Sequence, residues 1–302
     1  MIKTPFIASL IALIVSGPAL AQQRETLGWG RLFSNDAIGD GNDRWLTGSY
    51  AVSLLRGPEW QGSLPSVPGR ILEFRLRADT IAPADLLNPV PDDRRYAGLL
   101  SLGMQTHFDW QGFETTLGGD LVFSGPQTGI GHFQSLAHQM LGMDAPQVLD
   151  NQIENAAYPT VSAEMSRELA LTDTLSFRPF VAAEAGVETL VRAGGDLMVG
   201  NFDTGALMLR DTTTGQRYRG VEGDASGALG LTVGGDIAHV FDSALFPDGG
   251  VDMSDTRTRL RAGLRWQGSK ASVFYGLTYV GPEFEQQPEG QVIGSLNINL
   301  RF

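Results

Sequence analysis

The sequence predicts an all-β protein: a transmembrane, antiparallel, up-and-down β-barrel of about 12 strands with a short helix in an extracellular loop. Three observations predict it. The chain opens on an export leader, it closes on an alternating strand ending in Phe302, and its strand-like segments place Arg and Asn opposite their apolar faces. A polar interior behind an apolar exterior is the arrangement of a barrel in a bilayer, the reverse of a soluble one.

The leader, "MIKTPFIASLIALIVSGPALAQQ", has Lys3, an apolar run from Pro5 to Val15 and then Ala19-Leu20-Ala21. A charged n-region, an h-region and an A-x-A site make 1–21 a signal peptide and 22–302 the mature barrel. The apolar run is shorter than the ~20 residues a spanning helix needs. No other stretch is long and apolar enough to cross as a helix, so an exported chain of this length must span, if it spans, with strands.

The last eleven residues, "VIGSLNINLRF", alternate Leu296, Ile298, Leu300 and Phe302 with Asn297, Asn299 and Arg301. Period-2 patterning of this kind gives one apolar and one polar face. Eleven further segments share it, at about 26–35, 45–57, 69–80, 96–110, 113–124, 157–171, 174–188, 189–201, 226–241, 255–269 and 271–285, with the last strand at 291–302. Many exceed the ~5–6 residues of soluble strands and approach the ~9–11 of a tilted membrane strand. Aromatic residues near strand ends, as in "LGWG", "HFDWQG" and "FYGLTYVG", suit the membrane interfaces.

An even strand count puts both termini in the periplasm, so loops after odd strands face outside. The short turns at 109–112 and 171–174 follow even strands, and the long connections at 81–95 and 125–157 follow odd ones. Two stretches fit less well. "RGPEWQGSLPSVPG" at 56–69 is long for a periplasmic turn, and about 202–225 shows no clear pattern.

Composition narrows the function. A formal charge of −12 argues against nucleic-acid binding, which needs a basic surface. The absence of Cys excludes thiolate metal sites, a Cys nucleophile and disulfides. No G-x-S-x-G elbow, H-E-x-x-H motif, P-loop or dinucleotide fingerprint is present. Water is then a better nucleophile than an activated serine.

Three polar groups follow odd strands and so share the extracellular rim. "FSNDAIGDGNDRWLTGS" carries Asn35, Asp36, Asp43, Arg44 and Thr47; "DDRRY" carries Arg94, Arg95 and Tyr96; "GPQTGIGHFQSLAHQMLG" carries Gln134 and His138. Gln134 and His138 are four apart on one helix face, and His132 lies on another. Each group also has a plain reading as turn chemistry, a solvated charge cluster or an incidental surface histidine. "NDAIGDGND" lacks the EF-hand spacing and its closing Glu.

Taken in order, "SND…DRWLTGS…DDRRYAGLL…LGGDLVFSGPQTGIGHFQSLAHQMLG…DNQIEN" resembles the outer-membrane lipid A 3′-O-deacylases over most of the mature chain. The resemblance implies a twelve-stranded barrel with a rim active site beside a helical loop. It also implies a calcium-dependent esterase that removes the 3′ acyloxyacyl group of lipid A. By motif, Asn35, Asp36, Thr47, Gln134 and His138 correspond to the family's catalytic set. His138 would take a proton from water. Asp36 would hold Ca²⁺, a hard cation that favours oxygen, and Asn35 or the metal would stabilise the oxyanion. Gln134 would orient water or substrate. The family carries a Lys-Arg pair after strand three, where this chain reads "APADLLNPVP"; Arg94 and Arg95 are the nearest basic residues and are expected to meet a lipid A phosphate. The partner is thus lipid A or lipopolysaccharide of the outer leaflet, and the expected state is a membrane-embedded monomer in the bacterial outer membrane. An outer-membrane phospholipase and a non-enzymatic, porin-like barrel are the alternatives.

Overall fold

The computed structural model describes residues 24–200, 202–223, 229–268 and 271–300. The signal-peptide reading of 1–21 and the terminal Phe302 lie outside the described residues.

Twelve antiparallel staves close into a barrel: β1 (Glu25–Asn35), β2 (Trp45–Gly57), β3 (Ile71–Ala82), β4 (Ala97–Trp110), β5 (Phe113–Ser124), β6 (Ala156–Ser166), β8 (Leu175–Ala185), β9 (Glu188–Val199), β12 (Leu229–Ser243), β13 (Thr256–Gln267), β14 (Ala271–Val280) and β15 (Gln291–Leu300). The short β7 (Leu169–Thr172) carries the sixth stave on past a break and pairs with β8. β6 also pairs with β8, and β1 with β15, so the barrel has no open edge. Among the described residues, no helix is long and apolar enough to cross a membrane.

The strands form because lipid and lumen demand opposite side chains at alternate positions. β13 shows this most plainly: Arg257, Arg259, Arg261 and Arg265 are buried inside, while Leu260, Leu264 and Trp266 are exposed outside. The interior charges are matched. Asp236 binds Arg192, Arg259 and Arg261, and Asp196 binds Arg210 and Arg261. Pairing and hydrogen bonding make such burial tolerable, because an unpaired buried charge costs several kcal/mol.

The two stretches that fitted poorly turn out to belong together. Residues 202–223 enter from the periplasmic end and fold up inside the barrel. There they form a hairpin, β10 (Leu207–Arg210) and β11 (Arg217–Val221). Tyr218 is fully buried and its hydroxyl meets Ser53 Oγ at 3.1 Å. The hairpin lies so close to the wall that a Cβ on Gly28 would sit 2.2 Å from the Gly220 carbonyl oxygen. The long turn at 58–70 closes over its base, where Trp60 Nε1 donates to the Gly205 carbonyl at 2.7 Å. Both long periplasmic connections therefore serve one plug. On the outer side, the connection between β8 and β9 is only a tight turn at Gly186 and Val187, so long loops do not alternate with short turns around the whole rim.

The lumen is layered. An apolar cluster of Leu55, Ile71, Leu207, Leu209, Tyr218 and Phe274 fills the periplasmic third. The ionic network occupies the middle. A second apolar cluster, including Ile81, Leu99, Val122, Val187 and Leu245, lines the outer third beneath the rim.

Candidate active site

The loop after β1 supplies the acidic half of the site. Asn35 caps a 3-10 turn over Asp36–Ile38 by accepting from Ala37 N at 2.8 Å. The turn buries Asp36, whose Oδ2 accepts from Arg44 N at 2.8 Å. β15 holds the loop from the side. Val292 N donates to Asp40 Oδ2 at 3.1 Å, while Gln291 accepts from Leu46 N at 2.8 Å and donates to the Arg44 carbonyl at 3.0 Å. The chain then re-enters the wall under strain. Trp45 is fully buried with φ +50°, beneath the Arg44 guanidinium at 4.4 Å. A bulge follows, because Leu46 pairs with Ile81 and Gly48 with Thr80, so Thr47 is unpaired and turned inward. Strain and a bulge side by side are typical of a site that must aim a side chain.

The helix α1 (Ile130–Leu141) supplies the other half. Gly129 at φ +72° starts it, and Gly142 at φ +73° ends it in a left-handed cap, with Met143 N donating to the His138 carbonyl at 2.8 Å. "NQIEN" pins the loop before the helix: Asn155 Oδ1 accepts from Gln127 N at 2.8 Å, and Ile153 N donates to the Tyr96 carbonyl at 2.8 Å. A Cβ on Gly98 would lie 2.7 Å from Ile130 Cβ, so only glycine in β4 lets α1 seat this closely.

The buried face of α1 is polar: Gly131, Gln134 and His138. His138 Nε2 lies 3.0 Å from Asp43 Oδ2, and its Nδ1 lies 2.9 Å from the Asp144 carbonyl oxygen. A carbonyl only accepts, so these partners assign the hydrogen to Nδ1. Nε2 then shares a proton with Asp43. Burial pushes the Asp43 carboxyl up, offset in part by His138 and Thr47. Gln134 Nε2 reaches toward Asp43 Oδ1 at 3.5 Å. Burial also raises Asp36, to about 8, with the backbone N–H of Arg44 opposing the rise and the nearby Asp43 and Asp40 adding to it. Tyr96 is likewise raised by burial and by Asp43.

Several buried polar atoms near Asp43 lack hydrogen-bond partners: Asp36 Oδ1, Gln134 Oε1 and Tyr96 OH. Thr47 Oγ1 belongs with them, since it lies beside Asp43 without a well-directed bond. Unpaired buried polar atoms are costly, and their concentration here marks a place built to receive something else.

The structure therefore brings Asp36, Thr47, Gln134 and His138 to one locus. Asn35 joins through its cap on the Asp36 turn. The two arginines part company. Arg94 is buried against Glu283 and stacks on Phe246 at 4.8 Å, whereas half-buried Arg95 makes no ion pair among the described residues. His132 is exposed on the helix flank. Asp43 was visible in the sequence only as one acidic residue of a Gly/Asp-rich turn. Its pairing with His138 joins distant parts of the chain and leaves no local signal, and the same holds for Gln291.

The sequence matches the family described as "Outer membrane protein LpxR" over residues 6–302. The chain belongs to the LpxR family. Its fold is similar to LpxR from Salmonella typhimurium, with a TM-score of 0.75 at 20% identity, over 91% of this chain and 100% of that one. Two other outer-membrane structures align more loosely: the NanC porin (TM-score 0.44, 6% identity, 91% and 100% covered) and the β domain of the Bordetella autotransporter BrkA (TM-score 0.41, 12% identity, 92% and 100% covered). Comparison with curated protein sequences finds no match. LpxR membership places the barrel in the bacterial outer membrane, and the loops after β1, β3 and β5 share one end of it.

Proposed function

We propose that this chain is a lipid A 3′-O-deacylase: an outer-membrane esterase that hydrolyses the 3′-linked acyloxyacyl chain with water activated by His138 and assisted by Ca²⁺. The observation that supports it most is His138 on the buried face of α1, paired with Asp43 beside several unpartnered oxygens, in a chain of the LpxR family. The plugged and layered lumen weighs against the porin-like alternative.

His138 is held for proton transfer by two fixed contacts. The Asp144 carbonyl keeps the proton on Nδ1, which aims Nε2 into the site. To take a proton from water, Nε2 must give up the one shared with Asp43, so Asp43 is the residue that sets the base's readiness. Gln134, one turn earlier on the same face, directs its free Oε1 to the attacking water. Asn35 keeps Asp36 in the turn that presents it. Arg95 is the basic side chain free to meet a substrate phosphate.

Among the described residues, no three His, Asp or Glu side chains converge closely enough to bind a metal by themselves. Calcium does not need such a set, because it takes six to eight oxygens that include neutral ones. Asp36 Oδ1 and Thr47 Oγ1 are hard oxygen donors without partners, and they fit it. When bound, Ca²⁺ supplies positive charge against the developing oxyanion. The signal peptide at 1–21 and a monomeric barrel complete the reading.

Replacing Asp43 by asparagine is expected to lower kcat on lipid A about 10²-fold or more, with KM little changed. Unchanged kcat in Asp43→Asn would remove Asp43 from the proton path. Chelation is expected to abolish hydrolysis by the purified protein, and full activity in chelator would end the calcium assignment. The proton on Asp36 adds a pH signature. With its carboxyl raised to about 8, metal binding must displace a proton below that pH. Calcium affinity should then climb with pH, by up to about tenfold per unit, and level off beyond the Asp36 transition. In the metal-free protein the sign is opposite: stability falls as pH rises from the ordinary carboxylate range to about 8, where folded Asp36 keeps a proton the unfolded chain has lost, and levels off above it. Calorimetry across that range tests both, and pH-independent calcium binding would exclude Asp36 as a ligand.

A further inference from the structure

The polarity of α1 is the reverse of a helix resting on a protein in water. Its buried side is Gly131, Gln134 and His138, while Phe133 is 71% exposed, Met140 87% and Leu141 74%. Phe133, Leu136 and Met140 are spaced three and four apart and so form one stripe. The stripe lies opposite the site face, and His132 and Gln139 border it. Apolar exposure goes on past the helix at Met143, and across the rim at Leu87 and Val90 in the loop after β3. That loop is fastened to the segment after α1, with Gln147 N donating to the Leu86 carbonyl at 2.8 Å and Leu86 packed with Tyr96 and Val148. The loop after β3 and the segment after α1 are thereby joined.

The same inversion governs the staves on which α1 rests. β4 carries Leu102 and Met104 on its exposed face, and β3 carries Phe74 and Leu76. In an outer-membrane barrel those faces meet acyl chains. α1 packs against β3 and β4, and its His138 reaches Asp43 before β2, so the helix crosses the outer ends of these staves. The helix thus sits at the outer end of a surface already assigned to lipid. The helix has no charged side chain, so headgroup charge is not what it would read. Contiguous exposed apolar area on a membrane protein's rim is a contact surface.

We propose that the free face of α1, with Leu87 and Val90, is a lipid-contacting surface that seats in the acyl–headgroup boundary of the outer leaflet. The contact rests on the outer-membrane location and the exposed stripe, and not on the esterase reading. One consequence does rest on that reading: His138, on the opposite face of the same helix, is held at the depth where acyl chains join their sugar.

The chain has no Cys, so single labels can be placed without a background. Phe133→Cys, Met140→Cys and His132→Cys would each carry a polarity-sensitive fluorophore. The labelled full-length barrels would be reconstituted in phosphatidylcholine vesicles whose acyl chains are brominated near the carbonyl end. Labels at 133 and 140 should be blue-shifted and quenched several-fold more strongly by the brominated lipid than the label at 132, and shielded from aqueous iodide. Iodide quenching at 133 and 140 equal to that at 132 would overturn the proposal. So would emission that depends on protein density rather than on lipid bromine, which would mean a second copy covers the stripe.

Discussion

Cells expressing the His138→Ala protein are expected to retain the 3′ acyloxyacyl chain on their lipid A, while cells with the unchanged protein should lose it. Mass spectrometry of extracted lipid A reads this directly, and purified protein should show a loss of about 10²–10⁴ in kcat/KM. The size follows from the two contacts that aim the imidazole. Alanine removes the base, leaves the Asp144 carbonyl without its donor and leaves Asp43 without a partner for its proton. His132→Ala is the matched control, because it lies on the same helix but outside the site, and it should leave lipid A processing intact. Identical lipid A from the His138→Ala and unchanged proteins would remove the basis of the esterase reading.

Removing the plug should turn a silent barrel into a conducting one. In a planar bilayer the intact protein is expected to show no stable channel. A variant in which Leu207–Val221 is replaced by a short Gly-Ser turn should show discrete openings. The hairpin fills the periplasmic part of the lumen with Leu207, Leu209, Tyr218 and Val221, so little else there blocks ions. The deletion also strips wall residues of partners. Arg259 loses the Thr212 and Thr213 carbonyls, and Asp196 loses Arg210. Each such loss at a buried charge costs on the order of several kcal/mol, so folding of the variant is checked by the heat-dependent mobility of the barrel on gels. Steady conductance by the intact protein would contradict a filled lumen and revive the porin-like alternative.

The staves were legible because the bilayer imposes a period of two on every strand. "RTRLRAGLRWQ" shows it without help: each Arg points inward and each intervening apolar residue outward. The plug was illegible for the same reason. β10 and β11 are short and surrounded by protein, so neither face needs to be apolar and the alternation disappears. Part of the candidate site was readable from motifs in order, since Asp36, Thr47, Gln134 and His138 all lie near Asp43. What was missing are the residues that act through space. Asp43 looks like turn chemistry until α1 is laid over it, and Gln291 looks like the start of a strand until its amide is seen spanning Arg44 and Leu46. Arg94 and Arg95 are neighbours in sequence with opposite environments, because one turns inward to Glu283 and the other does not.

The barrel closes along a short seam. Among the described residues, β1 and β15 pair at Phe33–Leu296, Ser34–Ser295 and Asn35–Gly294, helped by a hydroxyl contact of 2.8 Å between the two serines. Asp36 follows the last of these pairs directly, and the loop that carries it is stitched to Gln291 and Val292 of the final strand. The acidic half of the site is thus assembled across the closing seam, from the loop after β1 and the start of β15. Its geometry comes into being only when the ring shuts, so an incompletely inserted chain carries every one of these residues and still has no pocket.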